Sequence, residues 1–125
     1  MELQVHDLVN QYRAGLSLKP LIMDSTLTWV ARTHSRNMAE GILPIGHDGF
    51  PGRSSAIRAQ MYFRSIAENI ATNLGYPNPA RTAFKNWLMS EGHKVNIEGR
   101  YNLTGVGIAK DLEGTFYFTQ LFVLK

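Results

Sequence analysis

The last stretch of the chain constrains the fold more than any other. From Thr115 to Leu124, Phe116, Phe118, Phe122 and Leu124 fall on one side of a two-residue period, and Tyr117, Leu121 and Val123 fall on the other. Successive side chains of a strand point to opposite faces, so a strand apolar on both sides must be covered on both. The segment Leu103 to Lys110 has the same period, and Asp111-Leu112-Glu113-Gly114 between them reads as a hairpin turn. Helices must therefore lie above and below a sheet that ends in an antiparallel hairpin. The predicted fold class is α+β: a three-layer α-β-α sandwich around a small, largely antiparallel sheet.

The helices needed for those layers can be read upstream. Val5, Leu8, Val9 and Tyr12 form one apolar stripe, which predicts a helix over 2–14 ended by Gly15. Leu18-Lys19-Pro20-Leu21 is extended, because a residue before proline avoids helical dihedrals. Asp24 or Ser25 caps a second helix running to about Glu40, with Leu27, Val30, Ala31, His34 and Met38 on its inner face and Gly41 at its end. Residues 42–54 hold two prolines and three glycines and read as a loop, followed by a short helix from Ser54 to Met61. Weak alternation between Tyr62 and Ala71 predicts a short strand before Glu68. Asn78 as cap and Pro79 at the first helical position open a further helix that buries Ala80, Ala83, Phe84, Trp87 and Leu88.

Residues 1–125 form one domain, long enough to bury a core without staples. Cysteine is absent, so neither disulfides nor a thiolate nucleophile is available. A formal charge of +3, spread over separate regions that include Arg53, Arg58 and Arg64, is a solvated surface and not a nucleic-acid footprint. No apolar run reaches transmembrane length, and the first residues carry no signal-peptide pattern. The chain reads either as cytosolic or as the trimmed part of an exported protein.

Three segments carry titratable groups at breaks in the pattern. The helix containing Trp87 is expected to stop at Gly92, with His93 immediately beyond it. Gly46-His47-Asp48-Gly49 and Ala67-Glu68-Asn69-Ile70 show comparable breaks. Brought together, His47, Glu68 and His93 form a His/Glu/His cluster. Two imidazoles and a carboxylate suit Zn²⁺ or another divalent ion and leave a position open for water. Such an ion can lower the pKa of its water to about 7. The plainer alternative is a polar network in which Glu68 fixes loop geometry.

The same segments resemble the CAP superfamily, also called SCP-like (cysteine-rich secretory proteins, antigen 5 and plant pathogenesis-related proteins), in its compact bacterial form. The resemblance rests on Leu8-Val9-Asn10 with Tyr12-Arg13, on Ala31, His34-Ser35 and Met38-Ala39, and on His47. It continues through Ala67-Glu68-Asn69-Ile70-Ala71, Trp87, Gly92-His93 with Asn96-Ile97, Gly105-Val106-Gly107 and Tyr117 to Phe122. It implies a secreted or cell-envelope protein with a central cleft lined by His47, Glu68 and His93. It also implies a divalent metal, a lipid or another small or wall-derived molecule as the kind of ligand to expect, with links to proteolysis in a few members. The chain departs from the family pattern at Ala67, where a glycine is usual, and at Glu91, where bacterial members often have proline and which adds a second carboxylate beside His93. Tyr117 stands where eukaryotic members carry histidine.

Two functions follow as expectations. One is a binding module holding an ion or small ligand in the cleft through His47, Glu68, His93, Glu91 and Tyr117. The other is a metal-assisted peptidase or esterase with Glu68 as general base. A metal-free hydrolase needs a serine beside a base, and Ser90 near His93 or Ser35 near His34 is the candidate; neither sits in a Gly-x-Ser-x-Gly elbow. His34 is expected to be a satisfied core histidine, His6 an exposed one, and Asp48 a turn residue or a partner of His47. Glu91 is either a cleft carboxylate or a solvated residue at a helix C-terminus. Asn69 and Asn96 are expected to bond local backbone, and Gln120 to need a buried polar partner. Ile42, Leu43, Ile45, Phe50, Met61, Tyr62 and Phe63 form either an apolar rim or a second small core.

Overall fold

The computed structural model describes residues 1–125. The elements, in chain order, are α1 (Glu2–Gly15), β1 (Ile22–Met23), α2 (Ser25–Ala39), α3 (Phe50–Arg58), β2 (Ser65–Asn73), α4 (Pro79–Leu88), α5 (Glu91–Ile97), β3 (Leu103–Lys110) and β4 (Phe116–Leu124). The strands lie in the order β1-β3-β4-β2. β1 runs parallel to β3, and the two long pairings, β3 with β4 and β4 with β2, are antiparallel. The sandwich expected from the two-faced C-terminal strand is the fold.

Each face of the sheet has its own core. Val106, Phe118 and Phe122 pack with Val5, Leu8 and Val9 of α1, with Ala80, Ala83, Phe84 and Trp87 of α4, and with Ile97 of α5. On the other face Leu121 and Val123 pack with Leu27, Val30 and Ala31 of α2 and Ile57 of α3. Local signals set the helix starts. The Asp24 side chain accepts from the Leu27 amide, and Asn78 accepts from the Arg81 amide with Pro79 in the first turn. Gln120 donates to Thr104 Oγ1 at 3.0 Å, the structural tie its buried position demanded.

Three local expectations are corrected. The helix predicted from Ser54 begins at Phe50, because Gly49 turns the chain in the left-handed region (φ 83°) and Pro51 is pre-set for a first helical turn. The strand expected to stop before Glu68 runs from Ser65 to Asn73, in register with β4 throughout. The helix expected to reach Gly92 ends at Leu88. Ser90 is extended (φ −119°, ψ 121°) and opens α5, so Gly92 and His93 lie inside a new helix.

α5 is held in place by Arg13, which is 1% exposed. Its guanidinium donates to the carbonyls of Ile97 and Gly99 at 2.9 and 2.8 Å, and to Lys19 O at 3.0 Å. A cation on the otherwise unpaired carbonyls at a helix C-terminus satisfies both their hydrogen bonds and the end of the dipole. Asn69, on β2, donates to His93 O at 3.0 Å and accepts from Asn96 at 2.9 Å. These two asparagines therefore clamp α5 to the sheet instead of bonding only to local backbone.

Candidate functional site

β2 is an edge strand, and the two helical layers meet beside it. Directly paired residues share a face, so Glu68, opposite Leu121, points into the α2–α3 layer. There the carboxylate is buried and accepts three hydrogen bonds. Arg53 of α3 binds it with Nε to Oε2 at 2.6 Å and Nη2 to Oε1 at 2.7 Å, and His47 Nδ1 reaches Oε1 at 2.9 Å. Arg53 also donates to the carbonyls of Asp48 and His47 at 2.8 and 3.2 Å. One guanidinium thus fixes both the carboxylate and the loop that carries the histidine.

His34 completes the support. It is 1% exposed, and its Nε2 lies 2.8 Å from Gly46 O. A carbonyl can only accept, so Nε2 carries the proton and holds the loop from below. The His47 ring, anchored at Nδ1, projects outward with its side chain 57% exposed. Because Glu68 also only accepts, His47 Nδ1 is the donor, and its Nε2 faces away from the anchor with a free lone pair when the ring is neutral.

His93 approaches from the opposite layer. Its Nδ1 lies 3.0 Å from Ser90 Oγ, and together with Ser90, Asn86, Ile70, Thr72 and Ile45 it lines a cleft of about 300 Å³. Ser90 is the N-cap of α5, yet its hydroxyl makes no capping bond and turns to the imidazole. His93 titrates below the ordinary histidine value of 6.5, through burial first and the nearby His47 charge second. His47 and His93 are therefore electrostatic neighbours, but of the two only His93 lines that cleft and only His47 touches Glu68.

The other expected site residues lie further out. Glu91 is exposed and sits in the first turn of α5, where its charge favours the helix dipole, opposite to the helix end expected for it. Tyr117 is buried, and its hydroxyl donates to Asp111 Oδ2 at 2.8 Å in the β3–β4 turn. Asp48 joins the site through its main-chain carbonyl. His6 is half-buried instead of exposed, at 3.4 Å from the Asn10 amide. The apolar cluster divides: Phe63 is buried with Phe50 and Met61 packed around it, whereas Ile42, Ile45 and Tyr62 stay exposed. Nowhere in the chain do three His, Asp or Glu side chains converge as a ready-made metal site. Sequence reasoning missed Arg53, grouped among scattered surface cations, and the loop-holding role of His34. The only signal for Arg53 was its place in the chemically dense 46–68 region.

Burial gives the histidines a stability signature. His34 is lowered below 6.5 mainly by desolvation, with the Arg53 and His47 charges adding and the Gly46 bond and Glu68 opposing. His6 and His93 are lowered by desolvation as well. A histidine depressed in the fold is protonated first in the unfolded chain, so unfolding gains protons as pH falls below about 6.5. Tm should hold steady from pH 8 to 7 and fall steadily from pH 6.5 to 5. Scanning calorimetry across that range, with His34 followed by imidazole NMR, checks it; a flat profile would contradict the burial described here.

Residues 6–122 match the profile of the cysteine-rich secretory protein family, CAP. The chain belongs to this family. The uncharacterized protein YkwD of Bacillus subtilis is 33% identical to this CAP domain over 128 residues, covering 99% of this chain and 47% of YkwD. The chain thus spans about half the length of that relative. An extracellular protein of Bacillus anthracis containing an SCP domain superposes with a TM-score of 0.83 at 28% identity, over 99% of this chain and 40% of that one. An outer surface protein of Borrelia burgdorferi superposes with a TM-score of 0.81 at 22% identity, over 97% of this chain and 90% of that one, a likeness of fold. No helix of this CAP domain is long and apolar enough to cross a membrane.

Proposed function

We propose that this CAP domain acts outside the cell or in its envelope, as a binding module that holds a divalent cation between His47 and His93, beside the cleft that His93 lines. The observation that carries the reading is the way both rings are tied. Each imidazole uses Nδ1 on a partner of its own, Glu68 at 2.9 Å and Ser90 at 3.0 Å. A histidine ligand commonly donates its second ring N–H to a carboxylate, carbonyl or water that fixes the ring, and the Ser90 hydroxyl can accept from His93 in the same way. Here Glu68 is that orienting carboxylate, not a ligand. Two imidazole donors leave the remaining positions to water or to an oxygen of a small or wall-derived ligand, with exposed Ile45 as an apolar lip. Placement outside the cell follows the relatives described as extracellular or outer surface proteins.

The hydrolase reading with Glu68 as general base is weaker on the same geometry. Oε1 already accepts from Arg53 and His47 and Oε2 from Arg53, and the carboxylate is 1% exposed, so an incoming water finds it engaged and covered.

Zinc titration tests the proposal. At a concentration a hundred times Kd, Zn²⁺ should stabilise the wild type by about 2.7 kcal/mol. His47→Ala/His93→Ala should abolish the shift, and Glu68→Gln should weaken affinity by roughly 10- to 100-fold. An unchanged shift in the double variant, or none in the wild type, removes the cation from this site.

A further inference from the structure

β2 closes one side of the sheet, and no strand lies along its outer edge. The register decides which of its main-chain groups face outward. Ile22 N and Asp24 N donate to the carbonyls of Asn102 and Thr104, so even-numbered residues of β3 turn toward β1 and odd-numbered ones toward β4. In an antiparallel pair, directly opposed residues exchange both bonds or neither. Gly107 and Thr119 are an exchanging pair, which leaves Phe118 and Phe116 to exchange bonds with Ala71 and Asn73 of β2. Ile70 and Thr72 therefore point their N–H and C=O away from β4. The Trp87 indole agrees, since it donates to Ile70 O at 3.0 Å from outside the ladder.

The Ile70 N–H and both main-chain groups of Thr72 have no partner in the chain. Thr72 is exposed, and with Ile70 and Ala71 it floors the cleft of about 300 Å³. Ile45 stands on one side of that floor, and Asn86, Ser90 and His93 stand on the other. Open edges are usually guarded against pairing by lysine, proline or a bulge. Residues 65–73 have none of these: neither residue type occurs, and the register with β4 is unbroken. The guard here is the pair of walls. An edge at the bottom of a cleft cannot meet the equally recessed edge of a second copy, whereas a single extended chain can lie along it.

We propose that this edge binds an extended peptide as an added strand, bonded to the main chain of Ile70 and Thr72. A peptide offers an N–H and a C=O on one side of its backbone at every second residue, about 7 Å apart, which is the spacing of the free groups on the floor. A hydrocarbon leaves those groups bare, and the hydroxyls of a sugar have no such repeat. Side chains of the added strand alternate between the two walls. Those on one side meet Ile45 and Ile70 and are apolar; those on the other meet Asn86, Ser90 and His93 and are polar. The inference rests on the binding-module reading but not on the cation.

The test is a ¹H–¹⁵N NMR titration with acetyl-Val-Thr-Val-Thr-Val-amide at millimolar concentration. A chelator is present, so failure here leaves the zinc titration standing, and loss of the zinc shift leaves this result standing. The Ile70 and Thr72 amides should shift and saturate, while the Trp29 indole, exposed on α2, should stay put. Two N-methylated forms of the peptide, one methylated on its valine nitrogens and one on its threonine nitrogens, show whether the main chain is what binds. A single edge reads only alternate N–H groups, so one form should lose at least about tenfold in affinity and the other should keep it. Thr72→Pro removes an N–H that β4 does not use, at an edge position where proline is tolerated, so Tm should hold while binding falls. Absence of shifts at Ile70 and Thr72 overturns the proposal, as do equal affinities of the two methylated forms or undiminished binding by Thr72→Pro. Shifts of the same amides on raising the protein concentration without peptide overturn it in favour of pairing between two copies.

Discussion

Arg53→Met should cost the domain about 3–5 kcal/mol, the usual penalty for removing one member of a buried ion pair. The Glu68 carboxylate is 1% exposed and the Arg53 side chain 10%, so little solvent is at hand to replace the lost partner. The variant also strips donors from the Asp48 and His47 carbonyls, which loosens the loop carrying His47. Tm should drop by roughly 10 °C or more for a chain of this size. The double variant Arg53→Met/Glu68→Leu separates stability from function. Replacing a whole buried pair by apolar groups of similar volume is often neutral or stabilising, so much of the lost stability should return. His47 has no anchor in that variant, so zinc affinity should not return with it. Urea denaturation of the three proteins beside zinc titration reads both quantities. A loss below about 1 kcal/mol in Arg53→Met would show that Glu68 finds a partner or solvent elsewhere.

This pair also explains what the sequence conceals. The sandwich was legible because its causes are local and periodic: residues 115–124 are apolar on both faces, Asp24 and Asn78 cap, and Pro79 starts a turn. His47, Glu68 and His93 stood out because each is a titratable group in an otherwise apolar or glycine-rich setting. Their arrangement was not legible. Arg53 meets Glu68 across fifteen positions and His34 meets a main-chain carbonyl twelve residues away, and neither pairing leaves a period or spacing in the sequence. The full length of β2 was hidden for a related reason. Glu68, Asn69 and Asn73 are all buried in it, the first two held by partners distant in the chain and Asn73 by Pro79 O, so its pattern does not alternate cleanly between apolar and polar. The helix break at Ser90 was misplaced to Gly92 because glycine is the commoner terminator, while here the serine itself adopts the extended conformation and Gly92 is an ordinary helical residue.

The same substitution, glycine to alanine, should have opposite effects at two positions, and the contrast measures how directly α2 rests on the sheet. A Cβ built at Gly107 falls 2.1 Å from Arg32 N and 2.3 Å from Ala31 C; one built at Gly105 falls 2.3 Å from Leu27 C and Thr28 N. These obstacles are helix backbone, which cannot swing aside as a side chain can. To admit one methyl group at Gly107, α2 must lift from β3. That movement opens the core around Leu27, Ala31 and Leu121 and pulls Ser35 Oγ from Gly107 O and Thr119, both at 2.8 Å. It also carries His34 away from Gly46 and disturbs the cleft from behind. Gly107→Ala should therefore cost more than about 4 kcal/mol, at the exceptional end for a single methyl group. Gly92 has no atom within 4 Å of its added Cβ and no positive φ, so Gly92→Ala should stabilise α5 by about 0.4–1 kcal/mol. Thermal melts of the two variants decide the matter. A Gly107→Ala protein that melts within a few degrees of the wild type would mean that α2 does not pack on bare β3 backbone, and the route from that helix to the cleft would be lost with it.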